Sequence, residues 1–393
     1  MRNTTRAVAA AVIVAITPRL LLAADAPAAP PPPPVPALAD LLTGWGLTVS
    51  GDFAASYYHS NGYPGGYHAF DEDHDSFQLD EAGLQIGYQP KQGIGGFVDV
   101  IAGTDAQILN AAEDNSAGYV GLRQGYLQYA TGPLTIIAGK FVTLAGAEVI
   151  NPSQNTNFSR SFLFQVLEPL THTGFRATYA VSDTVNVIVG VNNGWNYTDV
   201  ATSGSKTGEF GATWAPNKMF SFALTGYIGK DDSNDNAAVN IAGQQLSLID
   251  FVATYNVTSA LTVILNIDAK QASGDGSFGT DLNTHATTHQ DGFAAYANYA
   301  INDNLRTSVR FEYLATHGPD DTVHPSHIVE GTATIGYSPV KNFEIRGELR
   351  YDKAQEADAI FVRALNSDSD EGPTFANNNF EFALQGVYKF SLP

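Results

Sequence analysis

The chain has no cysteine in 393 residues, so no disulfide can staple it. In an oxidising compartment its stability must then come from elsewhere, for instance from a closed hydrogen-bonded sheet. Charge is scarce as well. Asp, Glu, Lys and Arg make up 15% of the residues, against about 25% in an ordinary soluble protein. Bases are the scarcer sign, 20 Lys+Arg against 40 Asp+Glu, for a net charge of −20. That balance argues against nucleic acid as a partner, because phosphate binding needs a basic patch. Long apolar runs are missing too. The clean run from Ala7 to Ile16 falls far short of the ~20 residues of a spanning helix, and no other stretch approaches that length.

What is abundant is the material of pleated sheets and tight turns: 37 Gly, 18 Tyr and 22 Phe in a chain that is 44% apolar. The first residues read as an export signal. Arg2 and Arg6 precede the apolar run, and LLAADA supplies small residues for cleavage, so 1–24 is assigned as a signal peptide. Residues 25–36 form a proline-rich periplasmic linker of polyproline II character, a stiff spacer or a docking site for a periplasmic partner. ALADLL, 37–42, is expected to form a short periplasmic helix.

From Trp45 onward the chain alternates with period two. In 304–313, Leu305, Val309, Phe311 and Tyr313 point one way, and Arg306, Ser308, Arg310 and Glu312 the other. In 343–352, Phe343, Ile345, Leu349 and Tyr351 oppose Glu344, Arg346, Glu348, Arg350 and Asp352. This is the strand signature. One strand, LDEAGLQIGY, shifts phase near Gly83, where a bulge is expected. The connections alternate strictly between short (TG at 131–132, SD at 182–183, ND at 302–303) and long (59–75, 230–245, 272–290, 354–378). A soluble sandwich has no reason to sort its loops by parity, whereas an outer-membrane barrel does. The expected fold is therefore all-β: a transmembrane antiparallel up-and-down β-barrel of about 16 strands over 37–393. Sixteen strands enclose a wet lumen. Aromatics near strand ends, among them Trp45, Tyr88, Tyr129, Trp195, Trp214 and Tyr337, suggest girdles at the membrane interfaces. Lipid and lipopolysaccharide are then the surrounding partners.

One stretch breaks the rhythm. INPSQNTNFSRSFLFQVLEPLTHTG (150–174) carries the apolar patch SFLFQVL. By parity 144–172 is an outer loop, and its apolar patch favours folding inward as a constriction over waving in solvent. Folding in would bring Glu148, Arg160 and Glu168 into the channel, with His172 at the constriction or its hinge. Lys140, Arg176, Arg306, Arg310, Arg346 and Arg350 are the expected wall cations, facing Glu148, Glu168, Glu344 and Glu348. Fixed charges at such a constriction set which solutes pass. Arg123 shares parity with the outward Leu127 and Tyr129, and is placed at the rim.

The segments ADLLTGWGLTVSGDFAASYY and GKFVTLAGAEVINPSQNTNFSRSFLF…EPLTHTGFRATY resemble the β-barrel porin-2 (OmpL-like) family, a likeness that covers essentially all of 37–393. The resemblance implies a pore for passive diffusion of small polar solutes. Sixteen-stranded porins are often trimers, so a homo-oligomer is compatible. A structural or adhesive barrel acting through its long acidic loops is the alternative. Loop histidines, including His59, His68 and His74, are read as solvated, and no cofactor, metal or catalytic set is expected. The one constructible serine–histidine pair, His172 with Ser159 or Ser161, has nothing to orient it.

Overall fold

Alternation of apolar and polar side chains leaves each strand with one face for lipid and one for the interior, and closure of the sheet leaves no unpaired edge in the membrane. The computed structural model describes residues 38–62, 68–71, 75–114, 118–196, 206–231, 244–275, 285–318, 327–355, 360–363 and 374–392. The proposed signal peptide and linker lie outside these residues.

The first described element is α1 (Leu38–Trp45), which ends three residues beyond the expected 37–42. Strands β1 (Thr48–Ser60), β2 (Ser76–Tyr88) and β3 (Gly93–Ala102) precede α2 (Thr104–Asp114), a helix that the periodicity did not reveal. Then follow β4 (Val120–Thr131), β5 (Leu134–Val142), β6 (Thr171–Ala180), β7 (Val185–Asn192), β8 (Thr207–Trp214) and β9 (Phe220–Asp231). The second half comprises β10 (Gln244–Asn256), β11 (Leu261–Asp275), β12 (His285–Ala300), β13 (Leu305–His317), β14 (His327–Val340) and β15 (Phe343–Ala354). A small hairpin, β16 (Phe361–Arg363) with β17 (Thr374–Ala376), sits in the last long connection before β18 (Asn378–Leu392). Apart from that hairpin, the strands form one closed antiparallel barrel of sixteen, sealed where β1 pairs with β18 (Phe53 opposite Tyr388).

Every connection obeys the parity read from the sequence. Two- to five-residue turns such as 132–133 and 341–342 close one end, and long segments such as 103–119, 143–170 and 355–377 close the other. Outward positions are apolar and exposed, as at Leu84, Val98, Leu127, Val189, Ile335 and Leu349, which suits contact with lipid chains. Tyr88, Tyr129, Tyr179, Trp214, Tyr299 and Tyr337 are exposed at the short-turn end and form one girdle. Trp195 does not belong to it. It lies in a long connection, edge-on to Tyr227 at 6.1 Å.

Two β-bulges reset the inside face. In β2 the pairing with β1 skips from Ala54–Glu81 to Ala55–Leu79, so Asp80 is the extra residue, three positions before the expected Gly83. Asp80 and Glu81 are consequently both buried. In β4 the pairing with β3 skips Arg123, because Asp99 faces Gln124 and Val100 faces Leu122. An extra residue inverts the in–out alternation beyond it.

Candidate functional site: the loop between β5 and β6

The 143–170 segment leaves and re-enters the wall at one point, where the Thr143 amide donates to the Leu170 carbonyl (3.0 Å). Its outgoing arm hands successive amides to acceptors on neighbouring strands. Leu144 N–H donates to the Tyr227 hydroxyl on β9 (2.9 Å), Gly146 N–H to Asp250 on β10 (3.0 Å), and Ala147 N–H to Asn266 on β11 (2.6 Å). Glu148 then pairs with Arg310 on β13 (2.7 Å). Gly146 has φ +92°, and a Cβ there would meet Glu168 Oε2 at 2.0 Å, so only glycine fits.

The tip bonds to the opposite wall. Asn151 caps a 3₁₀ turn (Pro152–Gln154) through Ser153 N–H and donates to Asp52 on β1 (2.8 Å). Arg346 donates to the Asn155 and Pro152 carbonyls (2.7 and 3.1 Å), and Arg306 to the Thr156 carbonyl (2.8 Å). Asn157 donates to Thr334 (2.7 Å). On the return arm Glu348 accepts from Phe158 and Ser159 N–H (2.6 and 2.9 Å). Glu312 accepts from Phe162 and Leu163 N–H (2.7 and 3.2 Å), at the start of a π-helical turn (Leu163–Leu167). A carboxylate suits a helical start because the amides there are unpaired and carry partial positive charge.

The apolar patch is buried on two sides. Phe162, Leu163 and Leu167 pack with Tyr296, Leu314, Ile328 and Phe361. Phe164, Ile150 and Leu170 pack with Phe70 of the first long connection and with Ala106 and Leu109 of α2. Four outer connections, through Phe70, α2, Phe361 and the loop itself, thus meet in these two apolar clusters, a joint that reading the 144–172 segment alone did not anticipate.

The residues singled out from sequence now have places. Arg160 is fully buried and donates to the carbonyls of Val149 (3.1 Å), Ile150 (2.6 Å) and Phe158 (2.7 Å), tying the two arms together. Lys140 pairs with Glu113 of α2 (2.5 Å) and bonds the Leu122 carbonyl. Arg176 pairs with Glu209 (2.6 Å) and lies 4.2 Å over the Phe141 ring. Arg306 pairs with Glu344 (2.6 Å) and keeps about a quarter of its side chain (23%) exposed. Arg310 bridges Glu148 and Glu330. Arg346 bonds Gln385, and Arg350 bonds Asp352 (2.8 Å), the Arg160 carbonyl and the Phe162 ring face. His172 bonds the Gly194 carbonyl and stacks on Tyr227 at 4.8 Å. Ser159 is taken by Arg310, and the Ser161 hydroxyl accepts from Phe164 N–H, so the structure gives His172 no partner among them. Glu168 meets no arginine among the described residues and lies beside Asp250 and Asp268.

Two placements correct the sequence reading. Arg123 is not at the rim. The bulge turns it inward, where its guanidinium binds Glu81 (2.6 Å) and Asp99 (2.8 Å) in full burial. His68 is not a solvated loop residue. It is 1% exposed and bridges Asp71 and Asp352, both at 3.0 Å. Burial and the Arg350 charge pull its pKa down, but Glu381, Asp71 and Asp352 outweigh them and hold it at about 10. His59 does stay exposed, beside Asp75, and His74 lies outside the described residues.

Cavities remain beside the loop. One of about 350 Å³ is bounded by Gln85, Asp99, Arg123, Gln124, Glu148 and Gln154. Another of about 450 Å³, towards the short turns, is bounded by Ser50, Asp52, Gln85, Gln154, Lys341 and Lys389. They share Gln85, Asn151 and Gln154.

A closed sixteen-strand antiparallel barrel with sorted connections and an inner face of fixed charge is the architecture of outer-membrane porins. The family model described as "Putative beta-barrel porin-2, OmpL-like" matches residues 46–390, and the chain belongs to that family. Curated sequences yield no match. Among solved structures, the in-vitro folded outer-membrane protein OmpT of Vibrio cholerae superposes with a TM-score of 0.57 at 12% identity, covering 88% of this chain and 97% of that one. The outer-membrane channel DcaP of Acinetobacter baumannii gives 0.56 at 14%, covering 88% and 97%. An anion-selective porin from Comamonas acidovorans gives 0.56 at 11%, covering 88% and 99%. The protein is thus a multi-pass outer-membrane β-barrel of the porin kind.

Proposed function

We propose that the protein carries small hydrophilic solutes across the outer membrane by passive diffusion, and that 143–170 folds into the lumen as its constriction. The observation that supports this is the bonding of one loop to inward side chains of β1, β9, β10, β11, β13, β14 and β15. A segment that touches so much of a closed wall from within narrows whatever passes. The solute path runs on the β1–β4 side, past Gln85, Gln124, Gln154 and the Arg123 cluster, where the two cavities adjoin. Glu148, Arg160, Glu168, His172, Lys140, Arg176 and the arginines at 306, 310, 346 and 350 act mainly by holding the loop and its surroundings, with Arg306 the most accessible arginine among them. Residues 1–24 direct export, 25–36 serve as a periplasmic spacer, and lipopolysaccharide surrounds the outer rim. Assembly as a trimer fits this reading, since one OmpT structure is a trimer form.

Single-channel recording in a planar bilayer under a salt gradient, with the chain and a variant lacking 150–168, tests the reading. Discrete steps that grow on deletion support it. Silence from both proteins sinks it. The apolar packing shared by four connections favours one rival, a plugged structural or adhesive barrel. That rival predicts silence from the full chain and steps only after deletion.

A further inference from the structure

Glu168, Asp250 and Asp268 lie within 4.8 Å of one another through their carboxylate oxygens, all three buried. Asp250 and Asp268 are direct cross-strand partners on β10 and β11, and Glu168 reaches them from the foot of the loop. Like charges directly opposite on a sheet repel. Part of each carboxylate is satisfied: Asp250 accepts from Gly146 N–H (3.0 Å) and Asn266 (2.9 Å), and Asp268 from Asn266 (3.3 Å). The remaining oxygens, Glu168 Oε2, Asp250 Oδ2 and Asp268 Oδ2, have no hydrogen-bond partner. Lys270, two residues along β11, donates to the Val166 carbonyl (2.7 Å). Gly146 closes the pocket over Glu168, and any side chain there would push the carboxylate out. The trio therefore holds either shared protons or a positive ion.

The other such group among the described residues, His68 with Asp71 and Glu381, differs in having cations of its own, protonated His68 and Arg350. The Glu168 trio offers only carboxylate oxygens, with no imidazole. Hard oxygen donors select hard divalent cations over zinc or copper, and Ca²⁺ tolerates irregular geometry better than Mg²⁺.

We propose that Glu168, Asp250 and Asp268 bind one Ca²⁺ ion, which clips the foot of the 143–170 loop to strands β10 and β11. The ion offsets two of the three negative charges of the buried acids, the third balanced by a retained proton, and joins the loop to the wall at the strands its outgoing arm already touches. Binding is independent of the porin reading. The effect on conductance rests on it.

The test uses the full chain refolded in detergent, stripped with EGTA and titrated with Ca²⁺ alone by calorimetry, alongside Asp268→Asn and Glu168→Gln. The expected result is one site per chain that weakens on the order of 100-fold in either variant, because affinity follows the number of charged ligands. Ca²⁺ should also raise the unfolding temperature of the unaltered chain and leave that of the variants nearly unchanged. Heat-dependent gel mobility checks folding. If Asp268→Asn does not fold, Glu168→Gln, which lies off the barrel wall, carries the test alone. No binding by the unaltered chain, or binding equal in all three proteins, overturns the proposal and leaves the trio sharing protons. A chain that binds Ca²⁺ but never conducts keeps the site and refutes the porin reading. One that conducts without binding does the reverse.

Discussion

Replacing Arg160 by alanine separates loop docking from barrel stability. Its guanidinium makes three bonds, to the carbonyls of Val149, Ile150 and Phe158, at 2.6 to 3.1 Å, and lies 5.1 Å from the Phe70 ring centroid. A hydrogen bond from a charged donor contributes roughly 1.5–3 kcal/mol. Three would sum to about 5–9 kcal/mol if the carbonyls stayed dry. Water entering from the lumen restores part of this, so the net loss is about 3–4 kcal/mol. At 1.4 kcal/mol per tenfold, the docked-to-undocked ratio falls on the order of 100- to 1,000-fold. The sixteen-strand ladder loses none of its bonds, because each lost bond lies within the loop. The expected outcome is larger and noisier conductance steps and rapid protease cleavage within 150–168, with the heat-modifiable gel shift unchanged. Arg160→Lys should fall between, since an ammonium cannot span all three carbonyls as a planar fork does. Unaltered step size together with unaltered protease protection in Arg160→Ala would refute the reasoning. It would mean that the wall bonds alone hold the loop.

Three further outcomes follow from the same geometry. Arg123→Ala leaves Glu81 and Asp99 buried without their base, so the barrel should lose about 3–5 kcal/mol, read as a lower temperature for loss of the folded gel mobility. Glu148→Gln weakens the bond to Arg310 and the acceptor for Ser161 N–H. Because Glu148 is buried and engaged, the steps should become noisier while the reversal potential under a salt gradient stays near that of the unaltered chain. His68 has a folded pKa of about 10 against an unfolded 6.5, so the stability it lends the first outer connection is complete below pH 6.5 and is lost as pH rises through 10. Protease protection around 68–71 should fall near pH 10 in the unaltered chain, whereas His68→Gln should lack that step and be less protected already at pH 7.

The barrel was legible because its two solvents write opposite instructions on alternate residues. Leu349 and Arg350, or Phe311 and Arg310, state which side faces lipid. The turns state which end is which. What escaped the reading escaped for local reasons. Arg123 follows the outward phase of Leu127 and Tyr129 until one extra residue inverts it, and a bulge leaves no mark on composition. TDAQILNAAED, now α2, carries only two large apolar residues, Ile108 and Leu109, and it supplies the Glu113 that holds Lys140. His68 sits among loop acids in the sequence, yet its partner Asp352 is 284 residues away. Asp250 and Asp268 had a visible signal, lone acids inside the apolar runs LSLIDFVATY and LTVILNIDAK. Only the pairing of β10 with β11 shows that they are opposite each other.

The same pairings alter how selectivity should be argued. Acids on the wall accept loop amides, as Glu312, Glu348 and Asp250 do, and buried wall arginines donate to loop carbonyls, as Arg346 and Arg350 do. A charge engaged in this way is screened by its partners and is buried besides, so it projects little field into the water beside it. The strongest inner-face charges in the sequence therefore fix the shape of the constriction more than its preference for ions. Preference falls to groups that keep contact with solvent, such as Lys341 and Lys389 at the short-turn mouth, with partly exposed Arg306 and Glu344 beside them. Lys389→Glu should shift the reversal potential towards cations while leaving step size and protease protection near those of the unaltered chain. If Arg350→Met, which removes a fully buried base, shifted the potential as much without changing step size, the buried network would be the selectivity filter and the division drawn here would fail.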